Sequence, residues 1–162
     1  MLVYDTKKLQ FFGLKLGDTM NWKELAMTSY YQTAIAIKDQ LKHGYVEETR
    51  AGIEELIDAL SRSDKRALRS QLTRLMMHII KWQIQPEHRS RSWQSSISNA
   101  RIEIEELLED EPHLKPQVSQ LWDKCFKSAC KIAKDETGIK PTLSELTEKD
   151  VFQTKYSLDD FS

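Results

Sequence analysis

Apolar side chains recur along this chain at helical spacing, and the pattern changes register at a few polar or kinked points. Tyr30, Ala34, Ile37 and Leu41 mark one helical face, with a helix start near Asn21 or Ser29 and a stop at Gly44. A second helix is predicted from Val46 to Arg62, with Thr49, Ile53, Leu56, Ile57 and Leu60 inward and an acidic outer face. Ser63 then reads as the N-cap of a third helix, Asp64 to Gln85, with the broad stripe Leu68, Leu72, Leu75, Met76, Ile79 and Ile80. Pro86 ends it, because proline disfavours helical geometry in the residue before it.

A fourth helix is expected over Ser92 to Asp110, with Trp93, Ile97, Ala100, Ile104 and Leu107 on one face and Leu108 widening it. Glu111-Pro112 breaks that helix. A fifth follows from Leu114 to Thr137, where Leu114, Val118, Leu121, Cys125, Ala129 and Ala133 form a stripe broadened by Trp122, Phe126 and Ile132. Gly138 closes it. Residues 1–21 lack periodicity and read as an irregular arm, and 139–162 read as a tail that docks through Phe152, Tyr156 and Phe161. The expected fold is therefore all-α. It is a compact antiparallel helical bundle of four to five helices, one domain over residues 22–158, with 159–162 as terminal residues.

Composition narrows the functional classes. The chain has 162 residues, enough for a real core, and a net charge of −1, so bulk charge does not make it a polyanion binder. Low Gly (5) and Pro (4) favour long helices. Cys125 and Cys130 fall on different faces of one helix, which opposes a disulfide between them and fits a reducing cytoplasm. No apolar run is long enough for a membrane helix, and Lys15 interrupts the best apolar stretch of the N-terminus, so neither a membrane span nor a signal peptide is expected. Charge is distributed unevenly. Arg62 to Arg91 holds eight Lys/Arg and two Asp/Glu, while Glu47 to Asp58 and Arg101 to Glu111 are acidic, which predicts pairing between the rims of neighbouring helices.

Polar specificity concentrates in HIIKWQIQPEHRSRSW, residues 78–93. Arg89 and Arg91 beside a helix N-terminus could hold an anion, or could clamp helix-end carbonyls. His78 falls on or beside the apolar stripe, as a core histidine with one hydrogen bond. Trp82 and Trp93 close the end of the core, or stack on each other or on an arginine across the loop, and Gln83 and Gln85 reach backbone near Pro86. Metal binding needs three or four convergent ligands, and no pair among His78, His88 and Cys125 has a recognised spacing, so no metal or cofactor is expected. No GxSxG, phosphate loop or dinucleotide fingerprint occurs.

The run SRSDKRALRSQLTRLMMHIIKWQIQPEHRSRSW, continuing through LLEDEPHLKP, resembles the DUF29 family, domains of unknown function abundant in cyanobacteria. The resemblance is close over Ser61 to Trp93 and looser to about residue 158. It implies an all-helical domain over residues 22–158 and no activity, since none is established for the family. It singles out HxxKWQxQPxxRSRSW: His78, Lys81, Trp82, Gln83, Gln85, Pro86, Arg89, Ser90, Arg91, Ser92 and Trp93. The family's early Trp is absent from SYYQTAIAIKD. TRAGIEELIDAL carries Gly52 where an Asn-Leu is usual, and the Thr154-Lys155-Tyr156 region replaces a Cys-Pro-Tyr.

The expected function is a non-enzymatic helical protein-interaction module. It would bind another protein or a second copy through its charged faces or through the corner formed by His78, Lys81, Trp82, Gln83, Gln85, Arg89, Arg91 and Trp93. The alternative is a nucleic-acid-associated protein or hydrolase that places Arg89 and Arg91 on phosphate, with Lys65, Arg66 and Arg69 as a basic approach.

Overall fold

Asn21 and Ser29, the two residues that compete as the first helix cap, each begin a helix. The Asn21 side chain accepts from the Glu24 amide and starts α1, Trp22–Thr28; the Ser29 hydroxyl accepts from the Gln32 amide and starts α2, Tyr30–Lys42. The computed structural model describes residues 20–159. Gly13, Gly17 and Phe161 lie outside the described residues. Three longer helices follow: α3, Val46–Ile84; α4, Arg91–Asp110; and α5, Lys115–Thr137. Short 3-10 turns, Pro86–His88 and Pro112–Leu114, precede α4 and α5, and a π-helical turn spans Lys149–Gln153. The fold is all-α, with no strand among the described residues.

Ser63 lies inside α3, so the two helices expected on either side of it are one. The sequence Arg62-Ser63-Asp64-Lys65 holds neither Gly nor Pro. A serine caps only where the chain has already left helical geometry, and nothing here makes it leave. Gly44 and Gly138 do act as stops, at φ of 76° and 73°.

The chain divides into two compact units, Met1–Ser63 and Asp64–Ser162. In the first, Met20, Trp22, Ala36 and Ile37 form a small core with Leu25, Ala51 and Leu56 against it. Gly52 makes that core possible. A Cβ built there would lie 2.7 Å from Cγ1 of Ile37 and 2.8 Å from Cζ3 of Trp22. The Trp22 indole N–H donates to Glu48 at 2.8 Å. The inward faces differ from those expected. On α2 the buried residues are Thr33, Ala36, Ile37 and Gln40, leaving Tyr30, Ala34 and Leu41 exposed. On the first part of α3, Thr49, Gly52 and Ala59 are buried, whereas Ile53, Ile57 and Leu60 are exposed. Small residues win the inner positions because they let the helices approach the Trp22 ring closely.

In the second unit the expected stripes hold. Leu68, Leu72, Leu75, Met76, Ile79 and Ile80 of α3 pack with Ile97, Ala100 and Ile104 of α4 and with Leu121, Cys125, Ala129 and Ala133 of α5. Ile132 is an exception and stays partly exposed. The direction of each helix follows from four contacts. Lys81 meets Trp93, and His113 meets Asp64, so α4 runs back along α3. The Cys125 thiol lies against the Arg69 carbonyl and Lys81 pairs with Glu136, so α5 runs forward along α3. The result is an up-down-up bundle with sequential neighbours antiparallel. The residues after α5 dock on it: Leu146 and Val151 are buried in the core, and Phe152, Tyr156 and Leu158 pack against it.

Candidate functional site

The motif corner is built at the C-terminal end of α3. Helix ends leave carbonyls without amide partners. Here Arg89, carried past the end by the Pro86–His88 turn, donates through Nε to the Trp82 carbonyl at 2.8 Å. Its guanidinium also lies 5.2 Å from the Trp82 ring centre. Trp82 is buried in the core, and its ring meets that of Tyr156 edge to face, with centroids 6.1 Å apart. Arg101 from α4 stacks on Tyr156 at 5.5 Å, so a cation lies at each end of the ring pair.

Arg101 fixes the C-terminal segment. It donates to the carbonyls of Val151 (2.7 Å), Asp150 (3.2 Å) and Thr154 (2.8 Å), the carbonyls that the irregular π-helical turn leaves exposed. Burial lowers the Arg101 pKa, but the group stays charged. Tyr156 donates to the Asp150 carbonyl at 3.0 Å. Burial first, and Asp150 second, push the phenol pKa up, opposed by the Gln83 side chain hydrogen-bonded to it. Sequence reasoning missed Arg101, since it sits in a run that reads as a solvated acidic face.

The remaining motif residues divide. Lys81 bonds Glu136 at 2.7 Å and lies 4.7 Å over the Trp93 ring. Ser90 caps α4 by accepting from the Trp93 amide. Gln83 faces Tyr156 rather than backbone near Pro86. Gln85 precedes the turn at φ −130° and ψ 67°, with its side chain making no cap bond. Arg91 points elsewhere: it is exposed and lines an open groove of about 370 Å³ with Gln94, Ser95, Ser98, Leu158 and Asp159. His78 is half-buried. Its Nδ1 is buried without a hydrogen-bond partner, in place of the single bond expected. Burial chiefly, then Lys81 and Arg74, lowers its pKa, so it is neutral at pH 7. The structure thus brings Lys81, Trp82, Gln83, Arg89 and Trp93 into one packed corner and leaves Arg91 out of it.

Chemistry elsewhere is sparse. Both cysteines are free, and burial raises both thiol pKa values, which disfavours the nucleophilic thiolate. Among the described residues one group could approach a metal: Asp64, Glu111 and His113 place one ligand atom each within 4.8 Å of one another. The Pro112–Leu114 turn carries His113 to Asp64, a meeting no sequence spacing announced. Two of the three are exposed, and a structural zinc site takes four ligands.

The family model for "Domain of unknown function DUF29" matches residues 27–161. The chain belongs to the DUF29 family. Among curated proteins and among solved structures, nothing matches it. DUF29 membership assigns no activity, so function must be argued from the surfaces of this DUF29 chain. None of the helices among its described residues is long and apolar enough to cross a membrane.

Proposed function

We propose that this DUF29 chain is a non-enzymatic protein-interaction module whose first unit receives a basic amphipathic helix of another protein. One observation carries the reading. Val46, Ile53, Ile57 and Leu60 stand exposed on α3, the two isoleucines at 43% and 59%. With Arg50 they follow the alternating three-and-four spacing of a coiled-coil seam. Such a stripe on a soluble helix marks a contact surface.

Charge selects the occupant. Glu47, Glu54 and Asp58 each directly follow a stripe residue and are exposed, so one edge of the seam is acidic. A partner helix with a matching apolar stripe and a lysine- or arginine-rich flank satisfies both features. A second copy would set Glu54 against like charge. The motif corner fits this reading less well, because Trp82 is buried and Arg89 already holds a helix-end carbonyl.

The test is fluorescence anisotropy with a labelled synthetic helix carrying leucine on its seam and lysine on its flanks, and with a glutamate-flanked counterpart. The lysine peptide binds and the glutamate peptide does not. Ile53→Ser with Ile57→Ser weakens binding by at least about tenfold while the melting temperature holds. Equal binding of the two peptides, or full binding by the double variant, overturns the proposal. So does a dimer in sedimentation that the double variant dissociates, since that would give the stripe to a second copy.

A further inference from the structure

The alternative of a phosphate ligand reached through Arg89 and Arg91 does not fit their placement, since Arg89 is committed to Trp82 and Arg91 points out of the corner. The cations suited to phosphate lie in the second unit, between α3 and α5. Arg66, Arg69 and Arg74 line one wall of an open groove of about 570 Å³, and Lys124 faces them from the other. The expected pairing of this basic stretch with the acids of α4 does not form. Among the described residues no ion pair involves Arg66, Arg69, Arg74 or Lys124, and no acidic side chain lines the groove.

We infer that this groove binds the phosphodiester backbone of a nucleic-acid strand, through Arg66, Arg69, Arg74 and Lys124, without reading its bases. Four observations carry the inference. First, α3 and α5 run the same way, as the Cys125–Arg69 and Lys81–Glu136 contacts show, and the groove between them is open rather than a closed pocket. Second, Arg66 to Arg74 spans roughly 12 Å of helix axis, which covers about three to four nucleotides of strand. Third, Ser70 on α3 and Ser128 on α5 add hydroxyls to the same lining, while the Thr73 hydroxyl is taken by the Cys125 thiol. Hydroxyls and guanidinium forks are the side chains that hold phosphate oxygens. Fourth, the groove holds no aromatic side chain on which a base could stack, and Met77 and Ile132 are its apolar residues. Contact is therefore to the backbone, and sequence preference is weak. An acidic protein segment fits less well, because protein partners are anchored by buried aromatic or aliphatic side chains at the centre of the contact.

The net charge of −1 does not oppose this, because the acids cluster on α4 and on the start of α3. What matters to a strand is the local field of the groove. The inference is independent of the first unit's apolar stripe, and either can fail alone.

The experiment is anisotropy of fluorescein-labelled single-stranded and duplex oligonucleotides against salt. It compares wild type with Arg69→Glu/Arg74→Glu and with Lys38→Glu/Lys42→Glu, a control of equal charge change in the first unit. At low salt the wild type binds, and the logarithm of its affinity falls with the logarithm of salt at a slope of about −2 to −3, as three to four neutralised phosphates require. Arg69→Glu/Arg74→Glu loses at least about tenfold and flattens the slope by at least about one unit, while the control changes less than about twofold. Circular dichroism confirms that each variant is folded, and Arg69→Gln/Arg74→Gln gives an intermediate loss without reversing charge. Absence of binding at low salt overturns the inference, as do equal losses in variant and control, which would mean bulk charge alone. Displacement of the oligonucleotide by a polyglutamate peptide of equal charge at equal concentration also overturns it, giving the groove to acidic proteins.

Discussion

Arg89 and Trp82 are joined twice: the Arg89 Nε donates to the Trp82 main-chain carbonyl at 2.8 Å, and its guanidinium covers the Trp82 ring at 5.2 Å. A charged donor on an otherwise unpaired helix-end carbonyl contributes about 1.5–3 kcal/mol, and the ring contact adds about 0.5–1 kcal/mol. Arg89→Ala therefore lowers the melting temperature by several degrees. Arg91→Ala, at an exposed position, changes stability by less than about 0.5 kcal/mol. Thermal denaturation of the two single variants separates the arginines that the sequence presents as a pair. Equal losses would mean that Arg91 shares the clamp.

Gly52 poses a contest of signs. Alanine is the better helix former by about 1 kcal/mol. Its methyl group, however, would enter at 2.7 Å from Ile37 and 2.8 Å from Trp22 in a tight contact, and overpacking costs about 1–3 kcal/mol. Gly52→Ala is expected to destabilise the first unit by about 1 kcal/mol. In an Ile37→Ala background, where Cγ1 is gone and one of the two clashing groups with it, Gly52→Ala costs less than it does in the wild type. Chemical denaturation of the four proteins decides it, and a stabilised Gly52→Ala single variant would place the Trp22 ring elsewhere.

His78 predicts a pH dependence. Its folded-state pKa lies below the ordinary value near 6.5, because burial and the nearby Lys81 and Arg74 oppose its charge. The unfolded chain therefore binds the proton first as pH falls. Stability present above about pH 6.5 is lost progressively as pH drops toward the folded pKa, and no further loss from this group follows below it. His78→Gln flattens the stability profile between pH 7 and the onset of acid unfolding. An unchanged slope would show that other groups set it.

Arg101 predicts a local release. Removing it leaves the Val151 and Thr154 carbonyls without their side-chain donor, while the Asp150 carbonyl keeps only the Tyr156 hydroxyl. Arg101→Met keeps the length of the side chain and loses the bonds, at a cost of about 2–4 kcal/mol. Limited proteolysis of this variant cuts between Lys149 and Lys155 faster than in the wild type, before the α3–α5 core opens. Simultaneous loss of core and tail would make the segment an integral part of the bundle.

Helix ends set by Pro86, Gly138, Gly44 and the caps Asn21 and Ser29 were legible, since they act through local backbone chemistry; the end expected at Ser63, with no Gly or Pro beside it, was not an end at all. The stripe Leu68 to Ile80 was equally legible, because six large aliphatics at one period leave no second face to choose. The first unit was not. There Thr49 and Leu56 face inward as their spacing implies, but Ile53, Ile57 and Leu60 stay outside and Gly52 and Ala59 go in, because Trp22 fills the space that the small side chains leave. Ordinary periodicity ranks Ile53 above Gly52 and so rotates the face. The corner was legible as a cluster of residue types. Its closure was not, because Arg101 and Tyr156 come from distant positions and neither carries a motif.

The Arg101 clamp also orders events in time. Its main-chain acceptors at Val151 and Thr154 follow it by 50 and 53 residues. A ribosome delivers the arginine well before anything it can bind. Until the last stretch emerges, Trp82 lacks the Tyr156 edge, and the core lacks Leu146 and Val151. A chain that stops short of them leaves apolar core side chains facing water and Arg101 hydrated instead of clamped.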